Sequence, residues 1–261
     1  MKNGFFLTLV TSSLLAGCAD KSFIEVVEEQ GFTPFNPPIA ESKVGSIFKF
    51  EKNSSNIITV KRLCNYLYDD LNVTTSDASL PEIKKNDVFD ASISAYLIKD
   101  IVVSPPKLDA ELKNVKSVEI KFSNPKIKYI TAQDLQSNDG KPMPLSPSCF
   151  NVLESYAEND QLSEVFIIAE IMEVGSMEYI VDKKVNSDLN SEFNIKNVVD
   201  LKPNVNFTVE NNYSMKINEV RSIAYKAFSV KSFKPNGLVG PASGVIEVEP
   251  LDSNQLKLLG N

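Results

Sequence analysis

The feature that most constrains the fold of this chain is a run of alternating residues from Glu164 to Val185. Its apolar positions recur with a period of two, at Val165, Ile167, Ala169 and Ile171 before Gly175-Ser176 and at Met177, Tyr179 and Val181 after it. This period is typical of β-strands, and Gly-Ser between two such runs is typical of a two-residue turn. The run predicts a β-hairpin whose first arm lies in the centre of a sheet, because that arm begins apolar on both faces.

Similar patterns predict more antiparallel strands. Ile47–Phe50 and Ile57–Val60 flank a polar turn, and Val205–Val209 and Tyr213–Ile217 flank Asn211-Asn212, so each pair predicts a hairpin. Four further segments have the composition of strands: 91–103, 118–122, 222–231 and 245–248. The chain is therefore expected to be rich in β-structure.

Three segments predict helices. Apolar residues at helical spacing favour an amphipathic helix over 107–116. Thr131 followed three residues later by Asp134 predicts a short helix. Ser146 followed by Pro147 is typical of a helix start, with the hydroxyl as cap and proline in the first turn. Helices do not alternate regularly with strands, so the predicted class is α+β: mainly antiparallel sheet with two or three helices in a single domain.

The amino terminus has the layout of a secretory signal peptide. Lys2 precedes an apolar stretch from Phe5 to Leu15, which is too short to cross a hydrocarbon core of about 30 Å. Leu15-Ala16-Gly17-Cys18 resembles the lipobox of bacterial lipoproteins. The resemblance implies cleavage before Cys18 and attachment of fatty-acyl chains, such as palmitate, to that cysteine. An ordinary signal peptide that happens to contain a cysteine at its cleavage site is the alternative.

The residue after the lipidated cysteine bears on the membrane in which a lipoprotein stays. Family members held at the inner membrane tend to have aspartate there, whereas this chain has Ala19. The resemblance therefore implies the outer membrane, with the domain facing the periplasm or, alternatively, the cell surface.

This interpretation divides the chain into three parts. Residues 1–17 are the lipoprotein signal peptide, 18–44 are the lipidated Cys18 and a proline-bearing periplasmic linker, and 45–261 are the α+β globular domain. If flexible, the linker averages roughly 25–30 Å from end to end. Within the domain, residues 69–88 are polar and aperiodic, and they predict a long loop.

The chain contains no histidine, which excludes Ser-His-Asp and Cys-His catalysis and zinc sites of the HExxH type. With 27 basic and 34 acidic residues, its net charge of −7 disfavours a nucleic-acid partner. No dinucleotide, P-loop, nucleophile-elbow or calcium-loop motif occurs. The sequence thus assigns no catalytic, cofactor-binding or metal-binding residue and favours a protein that is not an enzyme. A hydrolase with a site that lacks histidine is the remaining catalytic alternative.

Cys64 and Cys149 are the thiols that remain once Cys18 is lipidated. An oxidising periplasm and an even count favour a disulfide between them. Two separately buried free thiols are the alternative. A redox-active pair is disfavoured because the chain has no Cys-x-x-Cys.

The domain resembles two families, the first over most of its length and the second over part of it. The strand Gly45–Phe48 leading to Cys64, with Ser148–Leu153 leading into Val165–Glu170, resembles uncharacterised outer-membrane lipoproteins of Gram-negative bacteria. That resemblance implies no activity. The order of elements from Ser148 to Val230, a helix before long alternating strands, is similar to the pore-forming domain of gasdermins.

We therefore expect a membrane-anchored envelope lipoprotein that acts as a non-catalytic binding or structural module at the outer membrane. Its expected partners are the membrane, through the lipid, and a protein or other envelope component; no cofactor is expected. The alternative is a membrane-active protein of the pore-forming kind, in which the hairpin over 165–185 inserts. A spanning strand needs about 9–11 residues with one apolar face, and the first arm meets this requirement better than the second.

Overall fold

The structure is a computed structural model that describes residues 23–40, 42–52, 58–65, 67, 71–80, 83–86, 115–135, 143–183, 205–236 and 242–251. The helices in these ranges are α1 (Phe23–Glu29), α2 (Ala132–Leu135) and α3 (Pro147–Glu158), and a 3-10 turn spans Leu162–Glu164. The strands in these ranges are β1 (Thr33–Ala40), β2 (Ile47–Lys52), β3 (Ile58–Cys64), β4 (Thr74–Asp77), β5 (Ile83–Asn86), β6 (Val115–Ser123), β7 (Lys126–Tyr129), β8 (Met143–Pro144), β9 (Val165–Val174), β10 (Ser176–Lys183), β11 (Phe207–Asn211), β12 (Ser214–Ile217), β13 (Arg221–Pro235) and β14 (Ser243–Pro250).

Within the described ranges these strands form two sheets. The larger sheet has nine strands, and its centre is the antiparallel pair β9 and β13. The other edge of β9 is shared by β2 and β7, and the other edge of β13 is shared by β1 and β14. The smaller sheet has five strands in the order β11-β12-β10-β6-β5. The predicted α+β class with mainly antiparallel pairing is confirmed for these residues.

Four lines of chain run side by side through both sheets. In the smaller sheet they are β5, β6, β10 and β12, and in the larger sheet they continue in the same order as β4, β7, β9 and β13. The connection is Asn124-Pro125 between β6 and β7, Gly175 between β9 and β10, and 218–220 between β12 and β13. The two sheets are therefore the halves of one bent ribbon, and we call the place where the lines cross from one sheet to the other the bend.

Aromatic side chains fill the core of the larger sheet. Phe166 stacks on Phe50 with centroids 4.4 Å apart and lies 5.9 Å from Phe48, and Tyr225 lies 4.6 Å from Phe35. Burial raises the pKa of the Tyr225 phenol well above its ordinary value of 10.0, because the charged form loses its hydration. These contacts join β1, β2, β9 and β13 in one apolar cluster.

Helix α3 closes the core on the strands β3 and β13. Its start follows the predicted pattern, since Ser146 Oγ accepts a hydrogen bond from the Cys149 backbone N–H at 3.4 Å and Pro147 occupies the first turn. The predicted short helix is also present, as α2. Thr131 and Asp134 cap it reciprocally, with Asp134 Oδ2 accepting from the Thr131 N–H at 2.7 Å.

The hairpin predicted around Gly175-Ser176 is wrong. β9 and β10 are separated by Gly175 alone, but β9 pairs with β2, β7 and β13, whereas β10 pairs with β6 and β12. The Gly175 N–H donates to the Ser123 carbonyl at 2.8 Å, so the neighbouring line of chain satisfies it across the bend. Local turn chemistry predicted a reversal that long-range pairing overrides. The hairpins β2–β3 and β11–β12 are confirmed.

The linker prediction also needs correction. Part of the segment 18–44 is folded, because α1 contacts β1 and β1 pairs with β13, from Thr33 opposite Tyr225 to Ala40 opposite Arg221. Val27 and Phe35 are fully buried. The globular part therefore includes residues from Phe23 onward rather than beginning at Gly45. Proline is compatible with an edge strand, where an N–H can be absent without loss of a ladder bond, and this explains why the prolines misled the interpretation.

Two other predictions fail in part. The segment 69–88, predicted as a loop, contains β4 and β5, whose polar residues pair at sheet edges with β7 and β6. The bounds of the helix predicted over 107–116 overlap β6 at the last two positions. Val115 and Lys116 belong to that strand, and Val115 pairs opposite Lys183. Residues 107–114 and the strand predicted at 91–103 lie outside the described residues.

Candidate functional site

The smaller sheet separates apolar and polar side chains onto opposite faces. One row across four paired strands contains Phe122, Met177, Ile217 and Phe207, and the next row on the same face contains Ile120, Tyr179, Met215 and Val209. Residues directly opposite each other in an antiparallel sheet share a face. The two rows therefore form one apolar surface, which we call the apolar face of the smaller sheet.

The row between these two apolar rows is polar, and its side chains point to the opposite face of the sheet. It contains Lys121, Glu178, Lys216 and Thr208 in register. On the same face, Ser214 Oγ donates to Glu178 Oε1 at 3.3 Å. The central apolar residues Met177, Tyr179 and Ile217 are at most 1% exposed, whereas Phe207 on the edge strand β11 is 41% exposed. The sheet is thus amphipathic, and its apolar face reaches the surface at β11.

Charged groups are concentrated at the bend. Glu173 is 5% exposed, and its Oε2 lies 2.8 Å from Lys128 Nζ on the adjacent strand β7. Arg221, also 5% exposed, forms an ion pair with Glu219 in the connection between β12 and β13. Breaking a buried ion pair is costly because it leaves a charge without its partner. Removing either partner of the Glu173–Lys128 pair is therefore expected to destabilise the contact between β7 and β9 at the bend.

The structure brings Cys64 and Cys149 together as a disulfide, with Cα atoms 5.4 Å apart across a separation of 85 residues. Cys64 ends β3, and Cys149 lies in the first turn of α3. Both are buried, at 6% and 0% exposed. The crosslink attaches the helix to the edge hairpin of the larger sheet.

The other assigned residue, Cys18, lies outside the described residues. In the part of the chain that the structure describes, no three acidic or cysteine side chains are grouped so that they could hold a metal ion. Over the same ranges, no helix is long and apolar enough to cross a bilayer.

Sequence reasoning missed the ionic cluster at the bend. Glu173 interrupts the apolar run Ile171-Met172-Glu173-Val174, and a charge within such a strand is a signal of a buried, partnered group. Its partner Lys128 is far away in the sequence, so the pairing depends on the register of β7 against β9. The pattern could identify Glu173 as unusual but could not supply its partner.

Comparisons with known proteins find similarity in structure but not in sequence family. No protein-family model matches the chain, and no curated protein matches it. A solved structure of a bacterial gasdermin from Bradyrhizobium tropiciagri is similar over 87% of this chain and 89% of that one, with a TM-score of 0.44 and 11% identity.

Proposed function

We propose that this protein is a lipid-anchored, non-catalytic envelope protein, held at the outer membrane by acyl chains on Cys18. The observation that carries the proposal is the division of its three cysteines. One follows Leu15-Ala16-Gly17 after an apolar segment, and the other two are brought to disulfide distance by β3 and α3. Disulfides persist in oxidising compartments such as the periplasm, so the crosslink and the export signal support the same destination.

The position of α1 limits the distance between a lipid on Cys18 and the folded domain. Phe23, the first residue of α1, lies five residues after Cys18. Even fully extended, five residues span at most about 18 Å. A lipid on Cys18 therefore holds the larger sheet close to the bilayer, and a partner must reach the membrane surface to meet it.

The lipid anchor is tested by fractionating cells that produce the full chain or its Cys18→Ala variant. We expect the unchanged chain in outer-membrane fractions with acyl mass on its amino-terminal peptide, and the variant without that mass and released from membranes. Ala19→Asp is the matched control, because it preserves the cysteine and is expected to keep the acyl mass while moving the protein to the inner membrane. Membrane association of Cys18→Ala equal to that of the unchanged chain contradicts the proposal.

The amphipathic smaller sheet favours a second candidate, a membrane-active protein. β6 has 9 residues and β10 has 8, and a spanning β-strand needs about 9–11. The in-register apolar rows would face lipid, and the polar row around Glu178 and Lys216 would face water. Because β6 and β10 continue beyond the bend as β7 and β9, longer strands are available without a change of pairing order.

Dye release from liposomes tests this candidate, with a pair of adjacent variants on the edge strand β11. Phe207→Lys places a charge in the apolar row, and Thr208→Lys places the same charge in the polar row; both positions are exposed. A lysine facing lipid at the bilayer midplane costs about 2–4 kcal/mol. This candidate predicts that the unchanged chain and Thr208→Lys release dye and that Phe207→Lys releases much less. Absence of release by the unchanged chain at every concentration excludes the candidate.

A further inference from the structure

The strand β11 forms one edge of the smaller sheet, and its outer side can accept another strand. Within the described ranges β11 pairs with β12, and no strand lies along its other side. Phe207, Thr208, Glu210 and Asn211 are exposed, and Val209 is partly exposed. An edge of this kind presents backbone N–H and C=O groups with which a strand of another chain can pair.

The hydrogen bond next to β11 shows which of its backbone groups point outward. The Asn218 N–H donates to the Asn206 carbonyl at 2.8 Å, so these two residues form a hydrogen-bonded pair at the start of the ladder between β11 and β12. Opposite residues in an antiparallel ladder alternate between hydrogen-bonded and non-hydrogen-bonded pairs. Thr208 is therefore bonded to β12, whereas Phe207 and Val209 direct their N–H and C=O groups to the outer edge.

A hydrogen bond on the other side of β12 gives the same alternation. The Val181 N–H on β10 donates to the Tyr213 carbonyl at 2.8 Å, one position beyond the register of β10 against β12. Alternation from this pair directs Met215 toward β10 and Lys216 toward Thr208 of β11. Both bonds thus place the backbone groups on either side of Thr208 at the outer edge.

β11 lacks the residues that discourage pairing at a sheet edge. Lysine and proline on an edge strand oppose association with another sheet. β5, at the opposite edge of the smaller sheet, has Lys84 and Lys85, whereas β11 contains neither lysine nor proline. The register of β11 against β12 shifts after Val209. A further strand can therefore pair in regular register along Phe207–Val209.

We propose that two copies of this chain pair through β11, antiparallel and about a two-fold axis at Thr208. With this centre, Phe207 of each copy stands opposite Val209 of the other, and the outward backbone groups of each such pair exchange two hydrogen bonds. Thr208 stands opposite Thr208 of the second copy. A two-fold interface uses the same patch on both copies, so the strand must be complementary to itself.

The side chains of β11 have this self-complementarity. Phe207, which is 41% exposed, is covered by Val209 of the second copy, and the apolar face of the smaller sheet continues across the axis. The two opposed threonines lie on the polar face, where a Thr–Thr pair is favourable. The register also places Glu210 opposite Asn206, so no like charges oppose each other. An axis at Val209 would place Phe207 opposite Asn211 and leave its ring without an apolar neighbour.

Disulfide crosslinking of the full chain, purified in detergent, tests this register. Thr208→Cys brings two thiols together at the axis, because opposite residues of a non-hydrogen-bonded pair have Cα atoms about 4.5 Å apart, and a disulfide needs about 4.4–6.8 Å. Glu210→Cys is the matched control, since it is exposed on the same strand but lies about 13 Å from its counterpart in this register. Under mild oxidation we expect Thr208→Cys to form a species of twice the monomer mass and Glu210→Cys to remain monomeric. The unchanged chain measures any crosslinking through its native cysteines.

A proline separates strand pairing from chance collision of two thiols. The N–H of Val209 points to the outer edge, so Val209→Pro removes a hydrogen bond of the dimer and none of the ladder to β12. Added to Thr208→Cys, it should lower the crosslinked yield to that of Glu210→Cys and leave the thermal unfolding of the chain nearly unchanged. The interface is smaller than the roughly 1,600 Å² of a stable complex, so the yield from Thr208→Cys should also rise with protein concentration.

The proposal is overturned if Thr208→Cys stays monomeric under oxidation, or if Glu210→Cys crosslinks to the same extent. An undiminished yield after addition of Val209→Pro also overturns it, because the dimer would then not depend on the outward N–H. Crosslinking of Thr208→Cys to a different protein in the membranes of producing cells, without a species of twice the monomer mass, overturns the proposal and would indicate another occupant of this edge.

Discussion

β9 and β10 lie on one run of chain interrupted only by Gly175, but they are buried in different ways. In β9 every residue except Glu170 is buried, on both faces. In β10 burial alternates, since Met177, Tyr179 and Val181 are buried while Glu178 and Ile180 are partly exposed. The change occurs at the bend, where the chain passes from the larger sheet to the smaller one. One alternating sequence pattern thus serves a strand with two covered faces and a strand with one.

The largest expected effect concerns consecutive positions in β9. Ile167→Ala and Ile168→Ala should each lower the free energy of unfolding by about 2–5 kcal/mol, because both side chains are fully buried on opposite faces. Denaturant unfolding of the two variants measures this. Surface substitutions usually change the free energy of unfolding by less than about 0.5 kcal/mol. If one of the two variants loses no more than that, only one face of β9 is buried, as in β10, and the difference between the two strands does not hold.

The next largest loss of stability is expected from removing the disulfide, which joins β3 of the larger sheet to α3. The double variant Cys64→Ser/Cys149→Ser should lose about 2–4 kcal/mol, because an 85-residue separation is no longer crosslinked in the unfolded chain. Urea unfolding with and without a reducing agent measures it. The reductant should lower the stability of the unchanged chain and leave that of the variant as it is. Equal stability of the two proteins without reductant would show that the thiols are not crosslinked.

A smaller effect is expected in the smaller sheet, where neighbouring residues should differ. Ile217→Val should cost about 0.5–1.5 kcal/mol because Ile217 is fully buried, whereas Lys216→Ala should stay within about 0.5 kcal/mol because that side chain lies in the polar row. Thermal or denaturant unfolding compares the two. Similar losses at both positions would mean that β12 is covered on both faces, like β9.

The smallest expected effect is a pKa shift in the β2–β3 hairpin of the larger sheet. Lys49 Nζ lies 3.0 Å from Glu51 Oε1, and this hydrogen bond lowers the pKa of Glu51 below 4.5. The folded pKa is depressed, so the small stabilisation is present above pH 4.5 and is lost as the pH falls through the folded value. NMR titration of the Glu51 carboxyl should show the lowered pKa, and Lys49→Gln should return it toward 4.5. An unchanged pKa in that variant would contradict the assigned cause.

Much of the local structure could be predicted from the sequence. The β2–β3 and β11–β12 hairpins, the capped start of α3 at Ser146 and the short α2 follow from residues that are neighbours in the chain. The disulfide partners followed from the count of cysteines and the expected compartment. The prediction failed where distant residues decide the outcome: at Gly175, in the proline-bearing β1 and in the polar edge strands β4 and β5.

The sequence by itself determined the β-rich class, the amphipathic strands, the exclusion of histidine chemistry and the lipobox-like segment, because each depends on residue type and short spacing. Only the tertiary structure decided that the line from β9 to β10 continues through a bend, that α1 and β1 belong to the folded body, and that Glu173 meets Lys128 at the bend. The physical reason is that strand partners and buried ion pairs are selected by contacts between residues far apart in the chain. A period of two specifies which side chains share a face, but it does not specify which strand lies alongside.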